Sequence, residues 1–277
     1  MYLEKGSNPF SGGLMRMRTA IGLFLTLLAA AACHVPGAEL GGRAADEWVR
    51  SYTLAPGGEL SITTTNGGIE IDGYDGPTVE VRAERVVRAA SDETARDLVA
   101  RIGIEEEVGA DRVTLRSGGI RGLLIGVTYQ VTFRVRAPHS IVARLQSTNG
   151  AISLRDFKGR VDARNTNGGI VGERLGGSLT ARGTNGNVRV AFASIGADGV
   201  VIRTTNGRVD VSVPASTKAN LEATCTNGTI RIDGLPFEPS GEQTRREARG
   251  TLNGGGPPID LTTVNGGIQL RSATAAP

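Results

Sequence analysis

The chain has 277 residues, 40 of them glycine and only 4% aromatic, with 31 Lys and Arg against 28 Asp and Glu. So few large aromatic side chains exclude a thick globular core and favour thin layers joined by many tight turns. The near balance of charge excludes the basic excess with which proteins hold nucleic acid, and two cysteines exclude a disulfide framework or a cysteine-rich zinc site.

Arg16 and Arg18 precede an uncharged, mostly apolar run over residues 20–32. A run this short falls below the ~20 residues that span a bilayer. With its basic start and small-residue end it reads as an export signal over 1–32, for which Met15 or Met17 is a better start than Met1. Cys33 directly follows Ala30-Ala31-Ala32, where a bacterial lipoprotein signal places its lipidated cysteine; ordinary cleavage at Ala-x-Ala is the alternative. Both readings send the chain out of the cytoplasm, to the outer membrane, periplasm or cell surface. Its membrane attachment would then be confined to the signal or to a lipid on Cys33. Residues 33–47 read as a linker.

Residues 48–62 give two extended pieces around Pro56-Gly57-Gly58, and 78–88 a strand. Ser91 is a good N-cap, with Asp92 and Glu93 complementing the first turn's dipole. Ala95, Leu98, Val99 and Ile102 share one helical face, which predicts a short helix over 91–101 covering an edge of a sheet. Glu105-Glu106-Glu107 reads as solvated charge on a strand, with further strands near 111–117 and 127–136.

The dominant signal is a repeat. Asn-Gly recurs at Asn66, Asn149, Asn167, Asn185, Asn206, Asn227 and Asn265, with steps from Asn149 onward of 18, 18, 21, 21 and 38 residues. A short fixed period points to a solenoid or array. Six and four positions before Asn the residues are apolar (Leu60 and Ile62, Val200 and Ile202). Three and five after it they are mostly apolar again (Ile69 and Ile71, Val209 and Val211), with a gap at Gly172. Period-2 alternation on both sides of a turn means strand, turn, strand. Asn-Gly also makes hairpins, but identical phasing in every repeat favours coils stacked ~4.8 Å apart. Side-chain parity places the small residues two before Asn (Thr64, Ser147, Asn165, Gly183, Thr204, Cys225, Thr263) inside. It also turns the seven asparagines inward, as a structural hydrogen-bonded ladder. The long last step is taken up by a Pro/Gly-rich excursion over 236–256.

The segment IEIDGYDGPTVEVRAE, the helix 91–101, the strand VTYQVTFRVRAP, the TNG coils and the closing IDLTTVNGGIQLR resemble the bacterial "putative adhesin" β-solenoid family, a domain of unknown function. The resemblance spans roughly residues 48–272, leaving 273–277 as a tail. It implies an all-β, single-domain, right-handed β-solenoid of stacked 18–21-residue coils with one short covering helix, often exported or membrane-tethered. It brings no catalytic residue to this chain.

The residues themselves suggest little chemistry. His34 sits beside the cleavage site, His139 follows Pro138 in a turn, and neither has triad partners. Asp72, Asp75 and Asp233 precede glycines and read as turn residues before calcium ligands. No cofactor and no metal site are expected, and Cys225 reads as a buried small residue. Three before Asn, on the outside, Arg164, Arg182 and Arg203 should stack on consecutive coils, with Asp162 and Glu222 as neutralisers. This face suits an envelope or surface glycan of acidic character. The chain is therefore expected to be a non-enzymatic envelope or surface protein offering a rigid surface for adhesion or scaffolding. The alternatives are an envelope-stress sensor that binds another envelope protein and, less favoured, a carbohydrate-active enzyme.

Overall fold

A computed structural model describes residues 41–120 and 125–273. The export signal, Cys33, His34 and residues 274–277 lie outside the described residues. Strand β1 (Gly42–Thr53) leads into the first coil, β2 (Glu59–Asn66) and β3 (Ile69–Tyr74). An insertion follows: β4 (Thr78–Ala89), α1 (Asp92–Val99), β5 (Ile104–Val108), β6 (Arg112–Ser117) and β7 (Thr128–Pro138). Four regular coils come next, β8 (Val142–Asn149) with β9 (Ile152–Arg155), β10 (Val161–Asn167) with β11 (Ile170–Leu175), β12 (Leu179–Asn185) with β13 (Val188–Phe192), and β14 (Val200–Asn206) with β15 (Val209–Val213). The last coils are β16 (Ala219–Asn227) with β17 (Ile230–Asp233) and β20 (Pro258–Asn265) with β21 (Ile268–Ser272), separated by β18 (Phe237–Pro239) and β19 (Glu247–Leu252).

Strands before the turn lie side by side in one sheet and strands after it in a second, with all coil-to-coil pairings parallel. The register sets equivalent residues against each other, Asn66 on Asn149, Asn149 on Asn167, Asn167 on Asn185 and Asn185 on Asn206. A row of hairpins would pair consecutive strands antiparallel, so the fold is a stack of two-sided coils, a β-solenoid. The residues six and four before each Asn, and those three and five after it, meet between the sheets and are buried. Ile230 and Ile232 are only half-buried, because β17 is the last strand of its sheet. The gap at Gly172 is closed by Leu175. The register shifts after Gly172, and a Cβ there would lie 2.6 Å from Leu175 Cδ1, so Leu175 fills the space.

Three expectations need correction. Residues 42–47 are not linker: β1 pairs with β4 from Gly42 onward, along its whole length. The helix is shorter than 91–101, spanning Asp92–Val99 after its Ser91 N-cap. Nor do the coils stack in strict chain order. Strand β20 lies between β14 and β16, and β21 between β15 and β17, so the coil of Asn265 is inserted between those of Asn206 and Asn227. The Pro/Gly-rich excursion covers one sheet at that end, with β19 antiparallel to β16 and β18 to β19.

At the opposite end the insertion supplies the closure. In one sheet β7 lies parallel beside β3, and β4 and β1 follow it, each antiparallel to the strand before, while β6 and β5 extend the other. Helix α1 buries Ala95, Leu98 and Val99 and packs on β1 and β4. Tyr52 of β1 donates its hydroxyl to Glu106 of β5 at 2.6 Å, so one member of the acidic run is a structural acceptor.

Candidate functional site

Each corner carries two polar columns. In the inner one, the hydroxyl two before Asn donates to a backbone carbonyl of the adjoining coil. Ser147 reaches Gly67 O at 3.0 Å, Thr204 Gly186 O at 3.3 Å and Thr263 Gly207 O at 2.9 Å. Asn165 does the same with its amide, Nδ2 to Gly150 O at 2.6 Å. These side chains are at most 4% exposed, so each bond satisfies groups that burial would otherwise leave unmet.

The asparagines of the turns form the outer column, which corrects the inward expectation: six of the seven are exposed and Asn66 is half-buried. Parity fails at the corner for an identifiable reason. The register runs to Asn165, skips Thr166 and resumes at Asn167. The chain therefore bends at the threonine, and Thr and Asn both face out. The amides still bond one to the next, Asn149 to Asn66, Asn167 to Asn149 and Asn185 to Asn167, each at 2.9 Å. Asn206 donates to Asn185 at 2.8 Å, Asn265 to Asn206 at 2.7 Å and Asn227 to Asn265 at 2.8 Å. In every case Nδ2 donates towards the coil nearer the amino-terminal end, so the amides point one way.

The glycine after each Asn is required by close approach. A Cβ on Gly207 would lie 2.0 Å from Gly186 O, and one on Gly228 1.9 Å from Gly266 O. Gly186, at φ 156°, is also in a conformation that side chains disfavour. At the facing corner, Asp156 and Arg174 share φ 51° on adjacent coils and form a two-pronged ion pair with both contacts at 2.6 Å. The Arg174 hydrogen bond holds the Asp156 carboxyl below the usual carboxylate range.

Arg164, Arg182 and Arg203 pair in register on β10, β12 and β14, each about half exposed. Asp162 contacts Arg164 at 3.2 Å and Arg182 at 3.8 Å, and Asp260 contacts Arg203 at 2.8 Å. Glu222 takes no part, since it pairs with Arg249 at 3.0 Å. Asp260 belongs to the inserted coil, which sequence order places two turns away.

The remaining candidates are scattered. Asp72 faces Arg155 at 3.8 Å, Asp75 lies 3.5 Å from His139, and Asp233 accepts from Gln269 at the other end of the stack. Among the described residues no three His, Cys, Asp or Glu side chains are grouped as a metal site would need. Cys225 is buried in the inner column, and burial pushes its thiol up. Among the described residues no helix is long and apolar enough to cross a membrane. The feature absent from the sequence reading is a cleft of about 670 Å³ at the amino-terminal end of the Asn column, beside Asn66 and the start of β7.

The profile of the Toastrack DUF4097 family matches residues 134–271, from within β7 to β21. No curated protein matches the chain. In structure it is similar to a putative cell adhesion protein from Clostridium sporogenes, at 13% identity over 83% of this chain and 100% of that one, with a TM-score of 0.48. It is also similar to a putative adhesin from Bacteroides fragilis, at 8% identity over 82% of this chain and 97% of that one, with a TM-score of 0.31. Over residues 134–271 this chain belongs to the Toastrack DUF4097 family.

Proposed function

We propose that the protein is a non-enzymatic, exported envelope protein whose stacked coils present a rigid surface for adhesion or scaffolding, with Arg164, Arg182 and Arg203 contacting an acidic glycan. The observation that carries this reading is the register of the three arginines on adjacent strands. Neighbouring strands lie ~4.8 Å apart, so a chain of anionic sugars laid across them meets successive guanidinium groups without bending. Arginine suits such contacts because its planar fork matches carboxylate and sulfate oxygens. The competing pairs with Asp162 and Asp260 are partly exposed, and exposed ion pairs exchange at little cost.

Heparin chromatography tests the reading. The wild-type chain is expected to be retained and to elute with salt, since screening weakens surface electrostatics. Arg164→Ala/Arg182→Ala/Arg203→Ala should elute at clearly lower salt with an unchanged melting temperature. Co-elution of the two proteins would remove the arginine face from consideration.

A further inference from the structure

The Asn column is polarised and open at one end. Each amide donates to the one before it, so at the amino-terminal end Asn66 receives a hydrogen bond from Asn149 on Oδ1. Its own Nδ2 has no acceptor among the described residues. The column stops here because the sequence between β6 and β7, the strands of the coil above, contains no Asn-Gly. Where an eighth amide would lie, the cleft opens instead, about 670 Å³ in volume. Its wall is the first part of β7. Residues 128–132 run past the start of β3, whose pairing begins at Ile69 on Phe133. They bring the half-buried ring of Tyr129 and the exposed Gln130 alongside Asn66. Glu70 and Arg134, held together at 3.4 Å, close the other side.

We propose that this cleft binds an N-acetylated saccharide, whose acetamido carbonyl accepts from Asn66 Nδ2 and takes the place of the missing amide. Aligned hydrogen-bonded amides polarise one another, so the terminal donor of a seven-member chain is stronger than an isolated Asn. An acetamido group continues that chain with the same donor and acceptor pattern. An aromatic ring with neighbouring amide, carboxylate and guanidinium groups is the mix that orients a polar ligand in a cleft, and the volume falls in the usual ligand range. The paired Glu70 and Arg134 leave the cleft without a strong net charge, which favours a neutral sugar. The site is independent of the arginine face.

Isothermal titration of the full chain with chitotetraose, cellotetraose and fully deacetylated chitotetraose tests this. Chitotetraose should bind saturably and the two sugars lacking acetamido groups at least about tenfold more weakly, the equivalent of ~1.4 kcal/mol. Asn66→Asp keeps an acceptor for Asn149 but removes the free donor; it should retain the wild-type melting temperature and lose about tenfold or more in affinity. Tyr129→Leu keeps apolar bulk without the ring and provides a second reading if Asn66→Asp melts early; it too should weaken binding. The arginine triple variant should bind chitotetraose as the wild type does. Failure of chitotetraose to bind, equal affinity for cellotetraose, or full affinity in both cleft variants would overturn the proposal.

Discussion

The two polar columns at the corner differ in surroundings, and that difference sets what each is worth. The buried hydroxyl of Thr204 has Gly186 O as its partner and little access to water. Thr204→Val keeps the shape and should cost about 1–2 kcal/mol in urea unfolding. Asn206 bonds at the surface, where water replaces a lost partner, so Asn206→Ala should cost roughly 0.5–1 kcal/mol. A larger loss at Asn206 than at Thr204 would reverse this ranking. Alternation along a strand assigns a face to every residue, but it is blind to a bend that resets the count, and the bend at the threonine did so. The inner column was visible as a run of small residues; its carbonyl acceptors were not, because they belong to neighbouring coils. Asp156 gives a pH-dependent test. Its folded pKa is depressed by Arg174, so the pair stabilises above the ordinary carboxylate value and that contribution is lost as pH falls through the lowered one. The melting-temperature gap between wild type and Asp156→Asn should close in acid, and a gap that persists below both values would exclude this pair as its source.

At the scale of elements, the Asn-Gly dipeptide is shaped by what lies on the next coil more than by the turn. The tandem positions Gly186 and Gly207 differ in that only Gly186 has a strained positive φ, yet a Cβ on Gly207 still meets backbone at 2.0 Å. No rotamer relieves a clash with a carbonyl. Gly207→Ala should therefore force two coils apart and cost at least about 1–3 kcal/mol, read as a lower urea midpoint; an unchanged midpoint would mean the coils are not in this contact. Leu175 is the counterpart among apolar residues. Its periodicity was unreadable because the chain bulges after Gly172, placing it out of phase with every other repeat. Removing it opens a cavity beneath two strands, and Leu175→Ala should cost about 2–5 kcal/mol. The stacked strands themselves were legible because the same phase recurs in each repeat. The first six residues of β1, Gly42–Glu47, were not, since their burial alternates only over the first four positions.

On the scale of the whole molecule, neighbouring coils supply one another's contacts, so stability should follow the spatial order and not the chain order. The distinction matters at the carboxyl end. The 38-residue step between Asn227 and Asn265 is compatible with either order, so the repeat alone does not reveal the inserted coil. With β20 between β14 and β16, a chain ending at residue 257 would leave a vacant strand position between them. Limited proteolysis of that truncation should cut throughout 215–257 while sparing the coils before residue 213. Protection of 215–257 equal to that in the intact chain would contradict the inserted order.

A stack that ends on its last-made strand can be lengthened by tandem duplication at its tip, each copy landing on the one before. Here β20 and β21 are gripped on both sides by strands earlier in the chain, and the edges at that end are β17 in one sheet and β18 in the other. A copy placed after Ser272 would find an open coil strand, β17, in one sheet, but in the other the edge is held by the antiparallel pair of β18 and β19. Duplicating an interior unit such as 150–206 lengthens the stack while leaving the closing strands at both ends in place.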